Sequence, residues 1–124
     1  MSFIWKGEPI EVKGPLERER DFVYIDDAVN ALLKVGFGTR YGETFNVCSG
    51  RKTSVREAIS IIKNSFEVNQ NYPTKILERT SRDIDSIYGD NKKLSNTFDW
   101  TPKVDLEEGI AKMVSWLKEV QPPS

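Results

Sequence analysis

The ten residues Arg20-Asp21-Phe22-Val23-Tyr24-Ile25-Asp26-Asp27-Ala28-Val29 constrain the fold of this chain more than any others. A charged pair leads into a short, nearly continuous apolar run, residues 22–25, which reads as a buried strand. Asp26 or Asp27 then suits a helix N-cap, where a carboxylate accepts from free backbone N–H groups and is favoured by the dipole. Val29, Leu32 and Leu33 recur at helical spacing, and Gly36 supplies a stop.

The rest of the chain repeats this interleaving. Residues 7–12 read as a short extended piece, with Gly14-Pro15 closing it as a turn, and residues 44–47 as a second strand. Ser54-Val55-Arg56-Glu57 is a capping box, its hydroxyl capping one end while the glutamate reaches back. Val55, Ile59, Ile62 and Phe66 follow on one helical face. Residues 69–73 form a polar loop, Lys75-Ile76-Leu77 a short strand, and Asp90 caps a short helix through Leu94. Asp105 and Glu108 repeat the capping logic before Leu106, Ile110, Met113 and Leu117, and residues 121–124 are a frayed end.

The pattern predicts an α/β chain: a small mixed sheet of short strands with three or more helices. Its 124 residues leave room for one domain and one modest core. Residues 1–19 are expected as an extended lead-in, 20–120 as the core and 121–124 as a tail. The helices would cover the sheet only in part, so an exposed face and a compensating contact, such as a homodimer, are expected.

Much chemistry is excluded by what is missing. With no histidine and one cysteine, Cys48, the chain holds no Ser-His-Asp triad, Cys-His pair, imidazole metal site, Cys-rich zinc site or intrachain disulfide. Cys48 reads as a small buried hydrophobe and Asn46 as a side chain that satisfies turn backbone groups. A formal net charge of −1 gives no basic field for nucleic acid or an anionic membrane. No apolar run is long enough to span a bilayer and no signal-peptide pattern follows Met1, which makes a cytoplasmic location the default.

Two motifs imitate cofactor chemistry. Gly36-Phe37-Gly38-Thr39-Arg40-Tyr41-Gly42 resembles a dinucleotide loop, but it follows a helix and leads toward a strand, the reverse of the polarity that aims a helix N-terminus at a pyrophosphate. Tyr88 and Lys92 have the Tyr-x-x-x-Lys spacing of a catalytic pair, yet Gly89-Asp90 breaks the helix that would bring them to one face.

Arg20 has two readings. One is a surface arginine paired with Glu17, Glu19 or Asp21; the other is a guanidinium beside a strand end, gripping a diphosphate by parallel hydrogen bonds. The segment Leu77-Glu78-Arg79-Thr80-Ser81-Arg82-Asp83 adds a second arginine cluster, with Asp83 able to accept from ribose or sugar hydroxyls.

Lys6-Gly7-Glu8-Pro9-Ile10, Arg20 through Ala28, and Gly42-Glu43-Thr44-Phe45-Asn46-Val47-Cys48-Ser49-Gly50 come in order along the chain. Ser54-Val55-Arg56-Glu57-Ala58, Gly89-Asp90-Asn91-Lys92-Lys93-Leu94, Trp100-Thr101-Pro102 and Leu106-Glu107-Glu108-Gly109-Ile110 follow. Together they resemble the C-terminal part of the extended short-chain dehydrogenase/reductases, specifically the NAD-dependent nucleotide-sugar epimerases and dehydratases such as UDP-glucose 4-epimerase. The resemblance implies the substrate domain of that family without its Rossmann domain. Arg20 matches the arginine that contacts the nucleotide diphosphate. Asp83 and Asp90 keep the family's interval of seven, but Thr80 stands where its second arginine belongs, so Arg79 or Arg82 takes that part.

The family's NAD loop and its Ser/Thr, Tyr and Lys set come from an N-terminal part with no counterpart in these residues. NAD is therefore expected of the parent enzyme, while this chain is expected to bind a UDP- or dTDP-sugar and to have no turnover alone. The alternative is a non-catalytic module that self-associates or pairs with a partner protein.

Overall fold

The computed structural model describes residues 1–120, and the expected frayed end at 121–124 lies outside them. The described elements are α1 (Ser2–Trp5), β1 (Ile10–Lys13), β2 (Glu19–Arg20), α2 (Ile25–Gly36) and β3 (Thr53–Ser54), then α3 (Val55–Ser65), β4 (Thr74–Leu77), α4 (Lys92–Phe98) and α5 (Leu106–Val120). The small mixed sheet is divided into two pairs. β1 and β4 run parallel, with Ile10 opposite Thr74 and Lys13 opposite Leu77. β2 and β3 run antiparallel, with Glu19 opposite Ser54 and Arg20 opposite Thr53. Residues 1–19 are more than an extended lead-in, since they carry α1 and β1.

Helix α3 starts where its sequence directs. Ser54 is extended at the N-cap, and its Oγ accepts from the Glu57 N–H at 3.0 Å. The return half of the capping box is not made, because Glu57 Oε1 accepts from Arg51 instead, at 3.0 Å. Two further N–H groups that a helix start leaves free are taken by the neighbouring segment: Val55 donates to the Arg18 carbonyl and Arg56 to the Leu16 carbonyl, both at 2.9 Å. The same segment is held from residues 85–87, where Glu19 N–H donates to the Asp85 carbonyl at 2.8 Å and Ile87 N–H to the Glu19 carbonyl at 3.1 Å.

Helix α2 departs from its expected cap. It begins at Ile25 after an extended Tyr24, which makes no side-chain cap. Asp27, buried, has a tertiary partner instead: its Oδ2 accepts from the Lys103 and Val104 N–H groups at 2.9 Å each. Trp100, 1% exposed, donates its Nε1–H to the Asp27 carbonyl at 3.0 Å. Around that contact Ala31, Leu94 and Trp100 form the core, flanked by Val35, Phe45, Val47 and Phe98. A second contact packs α3 on α5, where Ala58, Ile110 and Val114 are buried. Asp105 caps the start of α5 by accepting from Glu108 N–H at 2.8 Å. Asp90 accepts from Lys92 N–H at 2.8 Å at the start of α4, but Asn91 is the N-cap and the helix runs on past Leu94 to Phe98.

The strands expected at residues 22–25 and 44–47 do not form as strands. Ile25 is already helical, and neither stretch has a ladder partner among the described residues. The alternation of Phe45 and Val47 serves packing against the Leu94–Trp100 core, while the Thr44 carbonyl accepts from Lys93 at 2.9 Å. The apolar spacing of α2 is likewise turned: Ala31 faces inward, but Ile25, Val29, Leu32 and Leu33 are exposed. That leaves a continuous apolar stripe on the described surface.

Because Leu94 is fully enclosed, Leu94→Ala is expected to lower stability by about 2–5 kcal/mol. Denaturant unfolding measures this, and an unchanged midpoint would contradict the placement of the core.

Candidate functional site

Residues 16–21, a turn at Leu16 and Glu17 that leads into β2, lie between the start of α3 and residues 85–87. Side chains two apart along extended chain share a face, so Arg18 and Arg20 point together while Glu19 points the other way. The contacts agree. Glu17 pairs with Arg56, and Glu19 meets Ser86 Oγ at 2.7 Å and Lys52 at 3.4 Å. Arg18 and Arg20 both reach Asp83: Arg18 Nη1 pairs with Oδ2, and Arg20 Nη2 lies 2.7 Å from Oδ1. Arg20 Nη1 also donates to the Glu19 carbonyl at 2.8 Å.

The partners expected for a merely superficial Arg20, namely Glu17, Glu19 and Asp21, are therefore occupied elsewhere. Asp83 is only 12% exposed, and both its oxygens are engaged by guanidiniums, so it organises the arginines rather than standing free for a sugar hydroxyl. Arg79 folds back on its own loop, donating to the Asp83 carbonyl and pairing with Asp85 Oδ1 at 2.8 Å. Arg82 is exposed and makes no ion pair among the described residues. Of the four expected residues, Arg20 and Asp83 are thus joined through their side chains, while Arg79 touches only the Asp83 backbone and Asp85. Arg18 is the member that the sequence reading passed over, and the alternation Glu17-Arg18-Glu19-Arg20 is the signal that would have found it.

Asp21 anchors the next turn of chain. Its Oδ1 accepts from the Ser49 N–H at 2.7 Å and the Ser49 hydroxyl at 2.6 Å; Oδ2 accepts from Gly50 N–H at 2.9 Å and Gly89 N–H at 3.3 Å. Burial alone would raise its pKa, but the Ser49 hydroxyl and the three N–H groups together outweigh burial and hold it below the ordinary carboxylate value. Beside it Cys48 is buried, and its thiol pKa is raised by burial first and by the Asp21 charge second. That direction disfavours a thiolate nucleophile. Asn46 donates to the Asp90 carbonyl at 3.4 Å, a backbone-satisfying role.

Neither cofactor-like motif finds its chemistry. The Gly36–Gly42 run leaves the end of α2, and no helix N-terminus opens after it. Tyr88 lies outside α4, which starts at Lys92, and its ring sits under Lys52 at 4.5 Å. Neither motif is therefore arranged to hold a nicotinamide dinucleotide. The described residues form no group of three or more acidic or cysteine side chains suited to a metal ion. No described helix is long and apolar enough to cross a membrane.

The chain is similar to known proteins. The family model for GDP-mannose 4,6 dehydratase matches residues 4–113. A putative UDP-glucose 4-epimerase of Methanocaldococcus jannaschii is 33% identical over 91% of the chain and 35% of its own length. The crystal structure of UDP-glucose 4-epimerase with UDP-glucose from Thermotoga maritima is similar at a TM-score of 0.79 and 29% identity, over 93% of this chain and 36% of that one. A dTDP-glucose 4,6-dehydratase of Bacillus anthracis in complex with NAD shares the fold at a TM-score of 0.88 and 20% identity, over 97% of this chain and 38% of that one. The chain spans about a third of the length of the curated relatives it matches.

The lowered pKa of Asp21 fixes a sign for acid stability. Its contribution is fully present above the unfolded carboxylate pKa and is lost as pH falls through the lower folded value. Asp21→Asn is expected to lower the melting temperature near neutral pH, with the gap to the original chain closing on acidification. Melting curves from about pH 7 to about pH 2 test this, and a gap independent of pH would refute it.

Proposed function

We propose, since the chain belongs to the GDP-mannose 4,6-dehydratase family of extended short-chain dehydrogenase/reductases, that it forms the sugar-nucleotide-binding portion of such an epimerase or dehydratase. Arg20 is the residue on which this reading turns. It stands at the family's diphosphate position, and its guanidinium is aimed by Asp83 and the Glu19 carbonyl rather than left to swing. A guanidinium offers five N–H donors, and the two engaged here leave others for a phosphate. Arg79 and Arg82 flank Asp83 on the same loop. The similar Thermotoga maritima enzyme is described with UDP-glucose, which supports a uridine or thymidine diphosphate sugar as the ligand class.

The role assigned is binding and orientation. The domain as a whole, residues 1–124, would present the diphosphate-linked sugar to chemistry performed elsewhere. The oxidant at C4, a nicotinamide by the family resemblance, would be held by a separate Rossmann unit, and no step of that chemistry is carried by these residues. Arg20 holds the diphosphate while the sugar projects beyond it.

Titration calorimetry with UDP-glucose is the test. The chain is expected to bind weakly, and Arg20→Ala to reduce that affinity by about 10-fold or more. Binding that survives Arg20→Ala unchanged, or no binding by the folded chain, would overturn the assignment.

A further inference from the structure

Nothing in the resemblance singles out Arg18, yet it is the more enclosed of the two guanidiniums on Asp83, its side chain 12% exposed against 25% for Arg20. Its setting is built around it. Nη1 pairs with Asp83 Oδ2, and Nε donates to the Pro15 carbonyl at 2.9 Å. The guanidinium lies against Gly14, where a Cβ would stand 3.2 Å from its Cζ and 3.3 Å from its Nε. Gly14 has φ +86°, a conformation that glycine adopts freely, so backbone and side chain together leave room for this guanidinium. A Cβ there would also come within 3.3 Å of Asp83 Oδ2.

We propose that Arg18 is a positioning residue: by fixing Asp83 it sets the orientation in which Arg20 offers its free N–H groups to a diphosphate. This rests on the diphosphate reading above. A carboxylate bound by one guanidinium keeps its freedom to turn, whereas Oδ2 held by Arg18 aims Oδ1 at Arg20. Orientation settled before the ligand arrives is entropy that binding does not have to supply. Charge points the same way. Asp83 with Arg20 alone is neutral, but two guanidiniums on one carboxylate leave a net positive charge facing an incoming anion. The bond to Pro15 and the pairing with Asp83 leave from two separate nitrogens of one planar group, Nε and Nη1, a spacing that the single nitrogen of an ammonium cannot reproduce.

The probes are UDP and uridine, titrated by calorimetry against the whole chain. The original chain should prefer UDP. Arg18→Gln should weaken UDP by about 10-fold without changing uridine, and Arg18→Lys, which restores charge but not the fork, should not recover it. With Asp83→Asn already in place, Arg18→Gln should cost less than about 2-fold, because its route to Arg20 is gone. An unchanged UDP affinity in Arg18→Gln, full recovery by Arg18→Lys, or an undiminished loss in the Asp83→Asn background would each overturn the proposal. A folded chain that binds UDP no better than uridine would remove the diphosphate reading itself and the proposal with it. If Arg18→Gln does not fold, Arg18→Met, which keeps the length and apolar stem of the side chain without its charge or donors, carries the same comparison.

Discussion

Residues 16–21 are the constraint on which the rest of this structure depends. Their carbonyls, from Leu16 and Arg18, take the first free N–H groups of α3 and so tie the helix start to this segment. Glu19 is bonded through its backbone to residues 85–87, and Arg20 pairs in register with Thr53. This short stretch thus joins two distant segments, residues 53–56 and 85–87. Glu17 and Glu19 meet surface cations, while the two arginines meet on Asp83.

Two aspartates near that segment do opposite work. Asp21 collects N–H groups and a hydroxyl, a neutral donor set that stabilises its charge and ties residues 49–50 and 89 to the segment. Asp83 collects cations and so leaves the cluster net positive. Gly89 shows how tight the packing is beside Asp21: a Cβ there would lie 2.5 Å from the Cys48 sulfur. The Arg18–Arg20–Asp83 cluster is therefore followed in the chain by a closely packed turn at Asp21.

The longer helices were legible because their signals are local. Ser54 caps α3 and Asp105 caps α5, whereas the four-residue α1 has no such signal. Strands were harder, because a strand exists only with a partner. The apolar run at residues 22–25 and the alternation at 44–47 fix burial and direction but not a ladder, and none is made among the described residues. The short β2–β3 pair carries no apolar pattern at all and escaped notice for that reason. Asp27 was misread as a cap because a carboxylate in a helix's first turn gives the same signal whether it bonds its own helix or a distant backbone. Of the residues around Asp83, Arg20 and Arg79 were named from the sequence, whereas Arg18, which only the two-residue period of extended chain would have indicated, was not.

The account stands or falls on whether the face shared by Arg18 and Arg20 meets the diphosphate. Nitrogen-15 spectra of the arginine Nε–H groups during titration with UDP-glucose test this directly. The resonances of Arg18 and Arg20 should move together and saturate in parallel, while those of Arg51 and Arg56, paired with Glu57 and Glu17, stay in place. Movement confined to Arg51, Arg56 or other arginines, with Arg18 and Arg20 unaltered at saturation, would contradict it.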